Sequence, residues 1–175
     1  GADFSVPDFD MDQRAVMFLL AEASVWEELI TRVLIIGVPL FLVAFMNRKE
    51  GSWKFLLGGY GMDKLSMGLV VIAALVFGYG HEAGWGIAKV LPSFLFGLAA
   101  GYLFVEYGLH AAILIHFVND YLSALTWLGG SDALMGLASL GILGVGVITT
   151  ILLTVKVLGF VKDFKNRPTL PKGLE

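Results

Sequence analysis

Long apolar runs separated by short polar connectors dominate the pattern of this chain. The runs cover residues 14–46, 65–79, 88–107, 109–128 and 133–160. A helix needs about 20 residues to cross the hydrocarbon core of a bilayer, and every run except the short second one reaches or approaches that length. Because helices satisfy their own backbone hydrogen bonds in lipid, the pattern predicts an all-α, polytopic membrane bundle of about five transmembrane helices.

Four residues within the runs predict how the helices bend and pack. Pro39 removes one hydrogen bond from the first helix, so we expect a bend near it. Gly97 and Gly101 form a GxxxG pattern in the third run, which predicts the close approach of a neighbouring helix. Trp26 falls in the middle of the first run, and we expect it to pack inside the bundle.

Composition supports the membrane assignment and excludes several kinds of site. Of the 175 residues, 57% are hydrophobic and 15% are charged, whereas a soluble domain carries about 25% charged residues. The chain has no cysteine, which excludes disulfides, thiolate metal sites and a cysteine nucleophile. The formal net charge of -3, with basic residues at segment ends, predicts no nucleic-acid partner.

Basic residues lie beside alternate connectors and predict the orientation. If the helices alternate in direction, one side of the membrane holds Arg48, Lys49, Lys54, Lys64, Lys162, Lys165, Arg167 and Lys172. Only Arg14 and Lys89 lie on the other side. The positive-inside rule then predicts a multi-pass cell-membrane protein with its amino terminus outside and its carboxyl terminus in the cytoplasm. The chain divides into a polar extracytoplasmic segment (1–14), a membrane core (15–161) and a basic cytoplasmic tail (162–175).

Charged side chains stand inside the first apolar run. Glu27, Glu28 and Arg32 lie within six residues, and each ionised group near the bilayer centre costs about 3 kcal/mol. Residues four apart share a helix face, which pairs Glu28 with Arg32 and, in the fourth run, His116 with Asp120. Either pair could be structural, whereas Glu27 has no obvious partner in its own helix. The cluster therefore predicts a polar cavity or a catalytic task.

The same inventory fits peptide hydrolysis if the clusters converge. A carboxylate in a poorly hydrated pocket can take a proton from water and deliver it to a leaving amine. A histidine with a neighbouring donor can stabilise the oxyanion formed on the attacked carbonyl. The chain supplies a glutamate for the first task and a histidine with an asparagine for the second.

Three motifs follow one another along the chain. Residues 27–32 read EExxxR, residues 77–81 read FxxxH, and residues 116–120 read HxxxD. In this order the motifs resemble the CAAX protease and bacteriocin-processing (CPBP) family, the intramembrane proteases that include type II CAAX prenyl endopeptidases. The resemblance covers about residues 14–158. Full-length members commonly have eight membrane helices, so it implies the motif-bearing core, either as a short member or as a fragment lacking amino-terminal helices.

The resemblance implies a role for each motif residue. Glu27 with His81 would activate water, while His116 and Asp120 would stabilise the oxyanion. The supporting residues would be Glu28, Arg32, Phe77 and Asn119. Glu28 and Arg32 would hold the geometry of the site, and Phe77 would form a wall of the pocket.

One position departs from the family pattern and leaves the cofactor open. The prenyl endopeptidases carry asparagine where this chain has Asp120, with Asn119 one place earlier. An ionised aspartate cannot donate a hydrogen bond, so Asp120 is protonated, orients His116 or binds a metal. We favour a reaction that requires no cofactor; the alternative is zinc held by Glu27, His81, His116 and Asp120.

The expected partners are the lipid bilayer and a peptide or protein substrate in the membrane, which could be lipidated. An alternative function is a non-catalytic membrane partner or bacteriocin-immunity-type protein of the same fold. A third alternative is a proton or ion carrier that uses the buried carboxylates and histidines.

Overall fold

The computed structural model describes residues 12–124 and, beyond them, residues 155, 158–159, 161–163, 166 and 168–170. Most of the predicted 1–14 segment, the end of the fourth predicted helix and nearly all of the fifth lie outside the described residues. The count of five helices and the division into three regions therefore stay predictions.

Every regular element in the described part of the chain is helical. The elements are α1 (Gln13–Glu28), a π-helix (Leu29–Gly37), α2 (Val38–Met46), a 3-10 helix (Ser52–Leu57), α3 (Lys64–Gly80), α4 (Glu82–Trp85), α5 (Ile87–Tyr107) and α6 (Leu109–Ala124). Three stretches are long and apolar enough to cross a membrane: Arg14–Met46, Lys64–Trp85 and Ile87–Tyr107. The all-α membrane bundle expected from the sequence is confirmed.

The bundle exposes apolar side chains and buries polar ones. Phe18, Leu34 and Ile72 are among the many large apolar side chains that face outward, as lipid requires. Glu28 and Arg32 are fully buried. Burying charged groups inside a membrane bundle costs free energy, so their presence in the interior indicates a functional site there.

The first helix contains a π-helical segment that the sequence did not predict. The N–H of Val38 bonds to the carbonyl of Val33, five residues earlier, and Pro39 follows in the first turn of α2.

Trp26 is 56% exposed, so the expectation that it packs inside the bundle is wrong. Ser24 and Glu28 face the interior, and a residue two places from each lies about 200° away on the opposite face.

Glycine contacts hold α3 against α5, as the GxxxG pattern predicts. A Cβ at Gly97 would lie 2.9 Å from the Cα of Ala74, and one at Gly101 would lie 2.8 Å from a methyl carbon of Val70. Only glycine allows the two helices to approach this closely. This close contact holds α3 in position against α5, and His81 follows the last residue of α3.

The connector between α2 and α3 caps the end of α5. The N–H groups of Gly59 and Tyr60 donate to the carbonyls of Phe104 and Val105 at 2.9 and 3.0 Å, and these carbonyls have few partners within their own helix. Gly58, at φ +76°, lies so close that a Cβ would clash with the Phe104 carbonyl oxygen. The cap positions the turn from which α6 begins.

Candidate active site

One face of α1 and of the π-helix carries buried polar side chains. Ser24, Glu28 and Arg32 follow at intervals of four residues and are each fully buried. Arg32 Nε lies 2.9 Å from Glu28 Oε2, and Arg32 Nη2 lies 3.4 Å from Glu28 Oε1. The pairing of Glu28 with Arg32 expected from their spacing is thus present.

Glu28 also reaches across to α6. Its Oε1 is 2.9 Å from Nδ1 of His116, which is 4% exposed. Because an ion-paired carboxylate accepts hydrogen bonds, His116 donates from Nδ1 and directs Nε2 away from Glu28. A second link between the helices is the bond from the Tyr121 hydroxyl to the Met17 carbonyl, at 2.9 Å.

His81 lies immediately after the last residue of α3. Its Nδ1 is 2.8 Å from the carbonyl oxygen of Phe77, which can only accept, so Nδ1 carries the proton. The opposite nitrogen, Nε2, lies 3.7 Å from Oε2 of Glu27. His81, at the end of α3, therefore lies beside Glu27, the carboxylate that has no obvious partner in its own helix.

Glu27 and the two histidines meet at one point. Glu27 Oε2 lies 3.8 Å from His116 Nε2 as well as 3.7 Å from His81 Nε2. This oxygen is buried and forms no hydrogen bond to the described residues. Acceptor atoms gathered in a buried space repel one another unless protons, water or a cation lie between them. The spacings exceed a direct hydrogen bond and suit a bridging water.

Asp120 adjoins this point from α6. Its Oδ2 lies 3.5 Å from Nε2 of His116 and 3.1 Å from the Ser24 hydroxyl, whose single proton it shares with the Leu20 carbonyl at 2.8 Å. His116 and Asp120 thus lie next to each other on one face of α6, as their spacing of four residues predicts. Asn119 donates to the other carboxylate oxygen of Asp120 at 3.4 Å. The carboxylate is therefore positioned by two helices, α1 and α6.

Aromatic rings pack around the histidines. Phe77 stands 4.6 Å from the His81 ring and 5.6 Å from the His116 ring, and the guanidinium carbon of Arg32 lies 5.2 Å from its centroid. Phe96 meets the His116 ring edge-on at 5.0 Å. Phe77 therefore lies against both histidines, and Phe96 is a further ring beside His116 that the sequence did not indicate.

A cavity of about 100 Å³ opens beside the cluster. Its lining combines the motif residues of α3 and α6 with the first turns of α5, namely Phe77, His81, Lys89, Pro92, Ser93, Phe96, His116, Asn119 and Asp120. Sequence reasoning missed Lys89, Ser93, Phe96 and, at the edge of the cluster, Ser24. The spacing of Ser24, four residues before Glu28, could have placed it on the same face.

The four residues considered as zinc ligands lie close together but do not form a recognisable metal site. Among residues 12–124 and the described tail positions, no group of three or more His, Asp or Glu side chains is arranged to hold a metal ion. A zinc site requires ligand atoms about 2.0–2.2 Å from the ion. The metal dependence of the chain therefore stays a prediction.

The fold and the site define a polytopic membrane protein with a buried carboxylate–histidine cluster at a small cavity. Residues 14–122 match the family model described as type II CAAX prenyl endopeptidase Rce1-like, which covers more than half of the chain. The chain belongs to this family, and the resemblance drawn from its motifs is confirmed. Membership supports protease activity on a peptide or protein embedded in the membrane. No curated protein and no solved structure matches the chain.

Proposed function

We propose that the chain is an intramembrane endopeptidase that hydrolyses a peptide bond with a water molecule activated by Glu27. The observation that carries the proposal is the position of Glu27 Oε2, 3.7 Å from His81 Nε2 and 3.8 Å from His116 Nε2. A water molecule at this point has a carboxylate to accept its proton and a fixed imidazole to hold it. A general base must lie within hydrogen-bond reach of the proton that it abstracts, and Glu27 meets this condition for a water molecule held here.

In this mechanism the water oxygen bonds to the substrate carbonyl carbon while Glu27 takes one water proton. Glu27 then gives that proton to the amide nitrogen as the carbon–nitrogen bond breaks, leaving a carboxylic acid and an amine. His81 orients the water through Nε2, because its Nδ1 proton is held by the Phe77 carbonyl. The cycle returns Glu27 to its starting state.

His116 stabilises the oxyanion in this mechanism. When it carries a second proton, Nε2–H donates to the developing negative charge, and the Glu28 carboxylate at Nδ1 stabilises the imidazolium. Asp120 Oδ2 lies 3.1 Å from the Ser24 hydroxyl and 3.5 Å from Nε2, which supports a role in positioning His116 over a role as a direct donor to the oxyanion. Glu28 and Arg32 keep the imidazole in place.

The orientation inferred from the basic residues places the amino terminus outside and the tail in the cytoplasm. Support comes from the Lys64 N–H, which lies 3.4 Å from the Pro168 carbonyl. Pro168 therefore lies near the start of α3, on the side of the bundle that holds the 47–63 connector, which supports the inference that the two basic clusters share a side. The substrate enters from the bilayer; a lipid-modified substrate is an extension of this proposal.

Cleavage by the purified chain in liposomes tests the proposal. The substrates are a library of transmembrane and lipidated peptides, and the variants are Glu27→Gln and the matched control Glu22→Gln. Glu22 lies on the same helix but is exposed. We expect Glu27→Gln to lower kcat by about 10²–10⁴-fold, the contribution of a general base, and Glu22→Gln to leave it unchanged.

Circular dichroism and thermal unfolding establish that both variants are folded. A Glu27→Gln variant that cleaves as fast as the wild type would contradict the mechanism. A wild type that cleaves no peptide but binds one tightly would instead indicate the non-catalytic alternative.

A further inference from the structure

Lys89 lies in the wall of the cavity beside the carboxylate–histidine cluster, and the proposed mechanism gives it no role. It belongs to the first turn of α5 and lines the cavity together with His81, His116 and Asp120. Its ammonium group lies 4.8 Å from the centroid of the Trp85 ring, a cation–π contact that holds the side chain. A lysine side chain is therefore held beside the proposed reacting groups.

The position of Lys89 is unfavourable on two counts. The first turn of a helix carries the positive end of the helix dipole, which disfavours a lysine there. Lys89 also lies on the side of the membrane that the distribution of basic residues leaves nearly free of positive charge. Within the described part of the chain no carboxylate forms an ion pair with it. Neither topology nor pairing explains why a cation is placed here.

We propose that Lys89 binds a carboxylate of the substrate, an inference that rests on the proposed endopeptidase function. A cavity of about 100 Å³ accommodates a small group, and Lys89 is the lysine among its lining residues. Asp120 in the same lining repels an anion, so a carboxylate that enters the cavity is held at Lys89 and the scissile bond is set at a fixed distance from it. The carboxylate is either the free end of the peptide chain or an acidic side chain near the scissile bond.

Matched substrates separate these two sources. One pair differs only in a free or amidated carboxyl terminus, and the other pair differs only in Glu or Gln at a single position near the scissile bond. The variants are Lys89→Ala, Lys89→Arg and Lys89→Glu, with Lys54→Ala as the control because Lys54 lies in the connector, away from the cavity. The assay compares kcat and KM for both members of each pair.

The wild type should cleave the carboxylate member of one pair with a kcat/KM about tenfold or more above that of its neutral partner, mainly through KM. Lys89→Ala should abolish this preference, Lys89→Glu should reverse it, and Lys89→Arg should keep part of it. The pair that shows the effect identifies the source of the carboxylate. Equal losses on both members of each pair would overturn the proposal, since Lys89 would then act on Asp120 and not on the substrate.

A binding measurement separates this inference from the proposed hydrolysis. Affinities of the same peptides are measured on the wild type and on Lys89→Ala, each in the Glu27→Gln background, where turnover does not interfere. A carboxylate preference that vanishes with Lys89→Ala supports the inference even if the wild type cleaves nothing, an outcome that would sink only the hydrolysis. Equal binding of charged and neutral peptides to the Lys89-containing protein would refute the role of Lys89.

Discussion

His116 Nδ1 lies 2.9 Å from Glu28 Oε1, across a separation of 88 positions in the chain. The same carboxylate forms the ion pair with Arg32 through its other oxygen, at 2.9 Å. Glu28 therefore compensates a buried guanidinium and orients an imidazole at once. Any change at Glu28 alters both the stability of the bundle and the direction in which His116 Nε2 points.

The buried ion pair predicts strong coupling between Glu28 and Arg32. Glu28→Ala or Arg32→Met alone leaves an uncompensated buried group and should lower the free energy of unfolding by about 3–5 kcal/mol. The double variant should lose clearly less than the sum, because it leaves neither charge behind. Unfolding in detergent micelles measures the cycle, with Glu22→Ala as an exposed control. Additive losses would show that the two side chains do not depend on each other.

Asp120 should tolerate an amide better than a truncation. Asp120→Asn keeps an oxygen that accepts from Ser24 and adds an N–H that can donate to the oxyanion, so we expect kcat within about tenfold of the wild type. Asp120→Ala removes the group that positions His116 and should lower kcat by about 10–100-fold. Steady-state kinetics on one peptide compares the two variants. If Asp120→Asn were as slow as Asp120→Ala, the negative charge of Asp120 would be needed for the reaction.

Chelation tests the cofactor. We expect purified protein to contain less than one zinc per chain and to keep its activity after treatment with a strong chelator, because in the proposed mechanism Glu27 and the histidines activate water without a metal. Metal analysis and activity measured on the same sample decide the question. Activity that is lost on chelation and restored by Zn²⁺ would establish the four-ligand alternative and make Glu27 a metal ligand.

Helix packing between α3 and α5 should fail when Gly97 gains a large side chain. Gly97→Leu forces apart backbones that a Cβ would meet at 2.9 Å, so we expect lower thermal stability and loss of activity, because His81 is carried by α3. Gly68→Ala is the matched control, since Gly68 is helical, exposed and has open space around it. We expect it to unfold at the wild-type temperature or slightly above. Equal behaviour of the two variants would contradict the packing argument.

Spacing along single helices predicted part of the site, and contacts between helices supplied the rest. Glu28 with Arg32 and His116 with Asp120 are four residues apart, so their pairing follows from helix geometry. The bond from His116 to Glu28 does not, because a sequence pattern shows which face is polar but not which helix lies opposite. Phe96 gave no signal, since one aromatic in an apolar run is ordinary. Trp26 was misplaced because hydrophobicity does not distinguish lipid from the interior of a membrane bundle.

The π-helical segment Leu29–Gly37 divides the first helix into a half that carries the carboxylates and a half that packs in the core. Hydrogen bonds in a π-helix span five residues, whereas those in an α-helix span four, so each turn of this segment holds more residues than an α-helical turn. The angle at which the carboxylates meet the histidines is therefore set by this segment, and not only by the packing of the helical halves on either side of it.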